Sequence, residues 1–410
     1  MDKQLENMEN RKKVSVLMVG TGGYAGLYVK ELLHGPNTGR FEIVGAVDPY
    51  AGQSESGREL IRCGVPVYHT VEEFYREKAA QLAFIVTPIY LHASQTQYCM
   101  EHGSDVLCEK PICATLADAK AMMAVRDRVG RRLAIGFQWS FNKSILQLKQ
   151  DIKKGLYGKI RRFRTLVFFP RTLNYYRRGT GWAGKRRLET GEWILDSVAS
   201  NAAAHYLHNM LFLTGKEMER SAEPVKIEAE VYRANPIEMF DTCALRIFTA
   251  DDAELLFYAT HAVPQEQERS PEFIIEGELG TVTLRYEAGR EIMTGTLADG
   301  RSILYGAPSE DNMRKLSCMA DAVLENAALP CIPETALPHL KCVCALAESF
   351  PETPEFPEEF VCYDENTCQY TCKGLGEALN QCWERGNLPY EADICWAQEP
   401  RVTMLRESEI

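Results

Sequence analysis

Apolar and polar positions follow two different rhythms in this chain, one on either side of Phe137. Before it, short apolar runs read as buried strands: Val14–Val19, Phe41–Val47, Val65–Tyr68, Leu82–Val86, Asp105–Cys108 and Leu133–Phe137. Between them lie stretches with helical spacing. Leu27, Leu32 and Leu33 fit one helix face, Thr70 and Glu73 form a Thr-x-x-Glu capping pattern, and helices are predicted over 91–102 (stopped by Gly103) and 115–128. Strands alternating with helices over 14–137 specify a parallel, doubly wound α/β sheet, the Rossmann arrangement, in which ligands sit at the carboxyl ends of the strands.

After Phe137 a helix over 143–154 leads into period-2 patterning. Val225, Ile227, Ala229 and Val231 alternate with Lys226, Glu228 and Glu230, and Val282, Leu284 and Tyr286 alternate with Thr281, Thr283 and Arg285. Further strands are expected at 160–169, 242–248, 254–260 and 273–276. Together they predict a C-terminal α/β domain with an open, mainly antiparallel sheet that has one covered and one freer face. A long loop over 171–191 and a helix near 200–213 interrupt it, and helices return at 312–325 and 335–349. Pro351, Pro354 and Pro357 mark a linker, and a last helix near 374–385 stops at Gly386. The expected organisation is a flexible tail over 1–13, a Rossmann domain over 14–137, a second α/β domain over 138–350, and a C-terminal extension over 351–410.

Composition narrows the function classes. A net charge of −11 argues against a general nucleic-acid binder, because phosphate binding needs a basic surface. No apolar run reaches the roughly 20 residues of a membrane span, and Met1–Lys13 has no signal-peptide core. The fourteen cysteines are scattered, with no C-x-x-C pair. Cys368 and Cys372 come nearest to a metal spacing but have no matching second pair. Reduced thiols in a cytoplasmic protein are therefore expected, with no metal, nucleic-acid or membrane partner.

The chemistry concentrates at strand ends. Val14–Val19 runs into Gly20-Thr21-Gly22-Gly23-Tyr24-Ala25-Gly26, a G-x-G-x-x-A pattern opening a helix. Gly20 makes the turn, Gly22 lets the backbone approach a pyrophosphate, and Ala25 lets helix and strand lie close, while the helix N-terminus favours the anion. The next strand ends in Asp48, 22 residues past Gly26, near the spacing of the acid that binds the adenine ribose hydroxyls. A carboxylate there repels a 2′-phosphate, so NAD is the expected cofactor, although Asp48 also fits a turn cap before Pro49. Thr87-Pro88 and Glu109-Lys110-Pro111 fall at two further strand ends. Lys110 can hydrogen-bond a substrate oxygen and stabilise negative charge as hydride moves.

With these pieces the sequence resembles the Gfo/Idh/MocA family of nicotinamide-dependent oxidoreductases. The resemblance rests on Gly20–Ala25, Asp48, Thr87-Pro88 with His92, and Glu109-Lys110-Pro111, with 155–160 and 276–281 as further matches. It implies a cofactor site built from Gly20, Gly22, Gly23, Tyr24, Ala25, Asp48, Thr87, Pro88, His92, Glu109 and Lys110. It also assigns substrate binding and oligomerisation to the 138–350 domain, whose open sheet supports homodimers or homotetramers, and implies a sugar, inositol or related polyol as substrate. The family's D-x-x-x-H motif reads Asn201-Ala202-Ala203-Ala204-His205 here. The spacing places Asn201 and His205 on one helix face, with His205 as general acid/base and Asn201 orienting a hydroxyl. Asp196 is positioned to supply the missing carboxylate, an Asn201→Asp change is expected to restore the family's pair, and His208 lies one turn on. The loop 171–187 carries six basic residues and no acid. Tyr176, Arg177 and Trp182 are its candidate substrate contacts, with Asp196 and His208 nearby, and solvated charges are the competing reading. The implied function is an NAD-dependent dehydrogenase acting on CH–OH groups. A redox-neutral glycoside cleavage through transient oxidation, or a non-catalytic NAD-binding sensor, would use the same motifs.

Overall fold

The apolar runs before Phe137 become β1 (Val14–Val19), β2 (Phe41–Val47), β3 (Val67–Tyr68), β4 (Leu82–Ile85), β5 (Asp105–Cys108) and β6 (Leu133–Ile135) in a computed structural model that describes residues 13–179 and 181–405. Apart from Lys13, the expected N-terminal tail lies outside the described residues. The chain divides into two compact units, residues 1–141 with 311–336 and residues 142–310 with 337–410.

In the first unit all strand pairs are parallel, in the order β3-β2-β1-β4-β5-β6. The strand order reverses between β1 and β4, which is the switch point where such sheets bind dinucleotides. Helix starts follow local chemistry. Thr70 Oγ1 accepts from Glu73 N at 3.3 Å, Thr115 Oγ1 from Asp118 N at 3.1 Å, and Ser54 Oγ from Gly57 N at 3.0 Å. Glu73 reaches back to His69 N at 2.8 Å, one residue earlier than a strict capping box. The Ala25–His34 helix buries Ala25, Tyr28, Val29 and Leu32. Leu27, expected on that face, is 49% exposed, because the buried face runs through Ala25, Tyr28, Val29 and Leu32 instead.

Residues 311–336 belong to the first unit, not to the expected 138–350 domain. Three ties explain this. Ile135 N donates to Cys331 O at 2.9 Å, Arg126 forms a forked pair with Glu334 at 2.8 and 2.7 Å, and Lys315 on the Arg314–Glu325 helix pairs with Glu109.

The second unit carries a nine-stranded sheet in the order β14-β13-β12-β11-β7-β10-β9-β8-β17. Its strands are β7 (Ile160–Phe168), β8 (Pro224–Tyr232), β9 (Thr242–Thr249), β10 (Glu254–Thr260), β11 (Arg269–Gly277), β12 (Gly280–Glu287), β13 (Arg290–Leu297), β14 (Ser302–Leu304) and β17 (Arg401–Met404). Only β7 and β10 pair in parallel. A short hairpin, β15 (Val361–Asp364) and β16 (Gln369–Cys372), and a helix over Leu375–Arg385 complete the unit. Residues 351–405 are therefore no separate extension. Phe356, in the expected linker, stacks on Tyr232 with ring centroids 4.8 Å apart. Its N–H donates to Arg233 O at 3.2 Å, a donor that the flanking prolines lack. The sheet's second face is consequently less free than its alternation predicts, and Glu230 is 2% exposed.

Candidate active site

Val47, Val19, Ile85, Cys108 and Ile135 stand side by side across β2, β1, β4, β5 and β6. The ladder continues one residue further. Gly20, Val86, Glu109 and Gly136 donate to Val47 O, Val19 O, Ile85 O and Cys108 O at 2.8, 2.8, 2.9 and 2.8 Å. Adjacent strands lie about 4.8 Å apart, so Asp48, the glycine loop, Thr87 and Lys110 occupy one carboxyl edge of the first unit.

Each loop glycine has a distinct task. Gly20 has φ +89°, and a Cβ there would stand 2.5 Å from Val86 O, so only glycine fits. A Cβ on Gly22 would meet nothing nearer than Ser54 Cβ at 3.9 Å, and one on Gly23 nothing within 4 Å. The loop's outer surface is thus open to a phosphate, while Ala25 is fully buried against the sheet. Asp48 Oδ2 accepts from Thr21 N at 2.8 Å and Thr21 Oγ1 at 2.7 Å, and Oδ1 accepts from Tyr50 N at 2.8 Å. The carboxylate therefore ties the loop together and caps a turn, and its remaining lone pairs are the ones available to ribose hydroxyls. Arg58, the first cation after Asp48, donates to Gly52 O and Gln53 O at 3.2 and 3.1 Å.

Thr87 and Pro88 end β4 and open the Ile89–Glu101 helix. His92, expected at the cofactor, is instead 1% exposed. Its Nε2 meets Thr87 O and its Nδ1 meets Pro111 O, both at 2.8 Å, and burial lowers its pKa. The ring braces two strand ends from below and presents no edge to a ligand. Glu109 is buried too, beneath the backbone of Lys110. It accepts from Tyr28 OH at 2.5 Å, Lys110 N at 3.1 Å and Lys315 Nζ. Burial alone would raise its pKa, but the charges of Lys315 and Lys110 and the Tyr28 bond hold it below the ordinary value. Lys315, fully buried, is lowered by burial against the pull of Glu109. Gly136 makes room for this carboxylate, since a Cβ there would lie 2.7 Å from Glu109 Oε1. Lys110 itself is partly exposed beyond the buried pair and is followed by a cis peptide to Pro111. Lys315 carried no signal in the sequence, because its partner lies 206 residues away.

In the second unit Asn201 and His205 do not share a helix face. The helix begins at Ala204, and turns occupy 198–203, so the pair straddles the helix start. Asn201 Nδ2 donates to Asp196 Oδ1 at 2.7 Å, and Asp196 Oδ2 accepts from Gly184 N at 2.6 Å. The carboxylate missing from the motif thus arrives from the preceding segment. His205 is 8% exposed. His208, expected near substrate, is fully buried in the core. It stacks on Phe212, and burial, His339 and Lys149 push its pKa well down. It contributes packing.

The 171–187 loop is built rather than slack; Thr180 within it lies outside the described residues. Gly184, at φ +75°, approaches Ile237 too closely for any Cβ, and its carbonyl accepts from Glu238 N and Met239 N at 3.0 Å each. Arg171 and Arg178 flank the Tyr175 ring at 4.9 and 3.6 Å. Arg186 donates to Ala347 O and Phe350 O at 2.9 and 2.5 Å, and Arg187 covers Trp193 at 3.6 Å. Four of the six cations therefore have intramolecular contacts, whereas Arg177 is exposed. Tyr175, Tyr176, Asp196, Ser197, Phe240 and His261 line a narrow cleft. Tyr176 is 8% exposed, and among the described residues its hydroxyl has no hydrogen-bond partner. His261, which no sequence signal singled out, is buried, and burial with Arg171 lowers its pKa to about 3.

Comparison with known proteins agrees with this geometry. Residues 14–137 match the profile of the Gfo/Idh/MocA family, described as an oxidoreductase family with an NAD-binding Rossmann fold. The chain is 26% identical over 198 residues to the scyllo-inositol 2-dehydrogenase (NADP(+)) IolW of Bacillus subtilis, covering 47% of this chain and 53% of that protein. It is 27% identical over 203 residues to inositol 2-dehydrogenase 1 of Saccharopolyspora erythraea, covering 47% and 57%. The chain thus spans about half the length of these curated relatives. Among solved structures, the WlbA dehydrogenase of Bordetella pertussis, in complex with NADH and UDP-GlcNAcA, superposes with a TM-score of 0.66 at 21% identity, over 82% of this chain and 96% of that one. An Agrobacterium radiobacter oxidoreductase in complex with NAD+, L-tartaric acid and magnesium gives 0.67 at 15% identity, over 82% and 95%. Both likenesses concern the fold. Residues 14–137, within the first unit, thus match the NAD-binding Rossmann fold of the Gfo/Idh/MocA oxidoreductase family.

Proposed function

We propose that this chain is an NAD-dependent oxidoreductase that moves a hydride between nicotinamide and a hydroxyl-bearing carbon of a sugar, inositol or related polyol. One observation carries the proposal: Asp48, the glycine loop, Thr87 and Lys110 stand on one carboxyl edge at the sheet's switch point. The inositol dehydrogenases among its relatives support the substrate class. NAD is the preferred cofactor on this reading, since Asp48 opposes a 2′-phosphate and Arg58 is engaged with carbonyls.

When bound, the nicotinamide accepts or supplies the hydride. Gly20, Gly22 and Gly23 with the helix start hold the pyrophosphate, and Asp48 holds the ribose hydroxyls. In the first unit Lys110 is the candidate to hydrogen-bond the reacting oxygen and offset its developing charge; in the second unit His205 is the candidate general acid/base. Asn201, fixed by Asp196, orients a neighbouring hydroxyl. Tyr176, Arg177 and Trp182 contribute to the substrate wall.

The test pairs cofactor binding with turnover. Calorimetry should show NAD binding, and a panel of inositols, hexoses and uronic acids should produce reduced nicotinamide with at least one member. Lys110→Ala should lower turnover about a hundredfold or more with NAD affinity nearly unchanged. Normal turnover in that variant would remove Lys110 from the chemistry, and failure of the wild-type chain to bind NAD would overturn the whole reading.

A further inference from the structure

An antiparallel sheet that packs one face on its own domain leaves the other to water, to a second copy, or to more of the same chain. Here the second face, across β11, β7, β10, β9 and β8, meets residues 354–397. Leu166, Phe168, Tyr232, Leu256 and Tyr258 form one core with Phe356, Leu375, Leu379, Cys382, Trp383 and Trp396. We propose that this C-terminal segment is a built-in substitute for a second subunit, so that the sheet face is closed to association between copies.

Three features support the assignment, none of which depends on the proposed activity. First, the polar groups of the face are matched to the segment. Arg164 donates to Trp383 O and Glu384 O at 2.8 and 2.7 Å, on the last carbonyls of the Leu375–Arg385 helix. Arg246 forms a forked pair with Glu391 at 2.5 and 2.6 Å. Tyr258 OH donates to Asn387 O at 2.9 Å, and Glu230 accepts from Tyr390 N at 2.9 Å. A second copy would have to break these bonds and leave buried charges unpaired, which is costly. Second, the approach is close. A Cβ on Gly376 would stand 3.7 Å from the Phe168 ring of β7, in van der Waals contact with the sheet. Third, the cover is amphipathic. Its inner side is apolar, while on the Leu375–Arg385 helix Glu377, Glu384 and Arg385 are exposed and Asn380 and Gln381 half-exposed on the outside. The uncovered remainder of this face, on β12 to β14, exposes Thr281, Arg285, Thr296 and Ser302 beside Ile292 and Leu304.

Sedimentation velocity on the full chain over a hundredfold concentration range tests this, with hydrogen exchange at both ends of the range. A species of one chain mass, 46.3 kDa, throughout is the expected result. If larger species form, concentration-dependent protection confined to residues outside 160–168, 224–277 and 351–399 still supports a closed face. Concentration-dependent protection within those segments would overturn the proposal. Neither measurement requires a substrate, so failure here leaves the oxidoreductase reading untouched, and the reverse holds as well.

Discussion

Asp48 illustrates how one side chain serves both the fold and a ligand. Its two oxygens already bind Thr21 and Tyr50, so Asp48→Ser removes a like-charge clash with a 2′-phosphate and also loosens the loop. NAD affinity should fall and the preference for NAD over NADP should narrow by on the order of tenfold, about 1.4 kcal/mol, in parallel titrations. Equal wild-type affinities would refute the assignment. Glu230 makes a second residue-level case. Burial pushes its pKa up to about 7 from 4.5, against bonds from Tyr390 N and Tyr232 OH. The folded chain therefore binds this proton more tightly than the unfolded one, and stability falls as pH rises from about 4.5 through about 7. Glu230→Gln should leave the melting temperature nearly unchanged at about pH 4 and raise it relative to wild type at about pH 8. An equal shift at both pH values would mean that Glu230 is not carrying this proton.

At the scale of elements, the turn before the Ala204–Thr214 helix changes what the D-x-x-x-H position means. The sequence pattern implies that Asn201→Asp restores a pair. The geometry reverses this, because the new carboxylate would stand where Asn201 Nδ2 now meets Asp196 Oδ1 at 2.7 Å. Two carboxylates at that separation cannot both ionise, and one is driven to hold a proton. The variant should therefore lose melting temperature relative to wild type as pH rises from about 5 to about 8. A variant stabilised at neutral pH would show that Asp196 turns away. Element-level patterning was otherwise legible where neighbours in sequence decide the outcome. Thr70 and Thr115 cap helices through partners three residues on. The β12–β13 hairpin turns at Ala288 and Gly289, both with positive φ, yet β13 escaped notice because Arg290, Glu291 and Thr294 blur its alternation.

For each unit as a whole, long-range ion pairs decide which segments belong together. Lys315 binds residues 311–336 to the first unit through Glu109, and both groups are buried. Lys315→Met should cost about 3–5 kcal/mol in chemical unfolding, since it leaves a buried carboxylate unpaired. Adding Glu109→Gln should recover part of that loss. A cost below about 1 kcal/mol would place the pair among weak surface bridges. In the second unit the segment beyond Phe350 plays the corresponding part, with Arg164 and Arg246 as its anchors.

The sequence by itself determined the parallel sheet, the glycine loop, the strand-end positions of Asp48, Thr87 and Lys110, and the alternating strands of the second unit. Each of these depends on spacings of a few residues, or on backbone requirements such as the positive φ of Gly20. Tertiary structure alone decided that His92 and His208 are buried, that Lys315 pairs with the buried Glu109 beside Lys110, and that residues 354–397 cover the sheet. Those outcomes depend on which surfaces meet. Burial and charge pairing across hundreds of residues leave no local pattern, since a lysine or histidine bound for the interior is spelled like one bound for water.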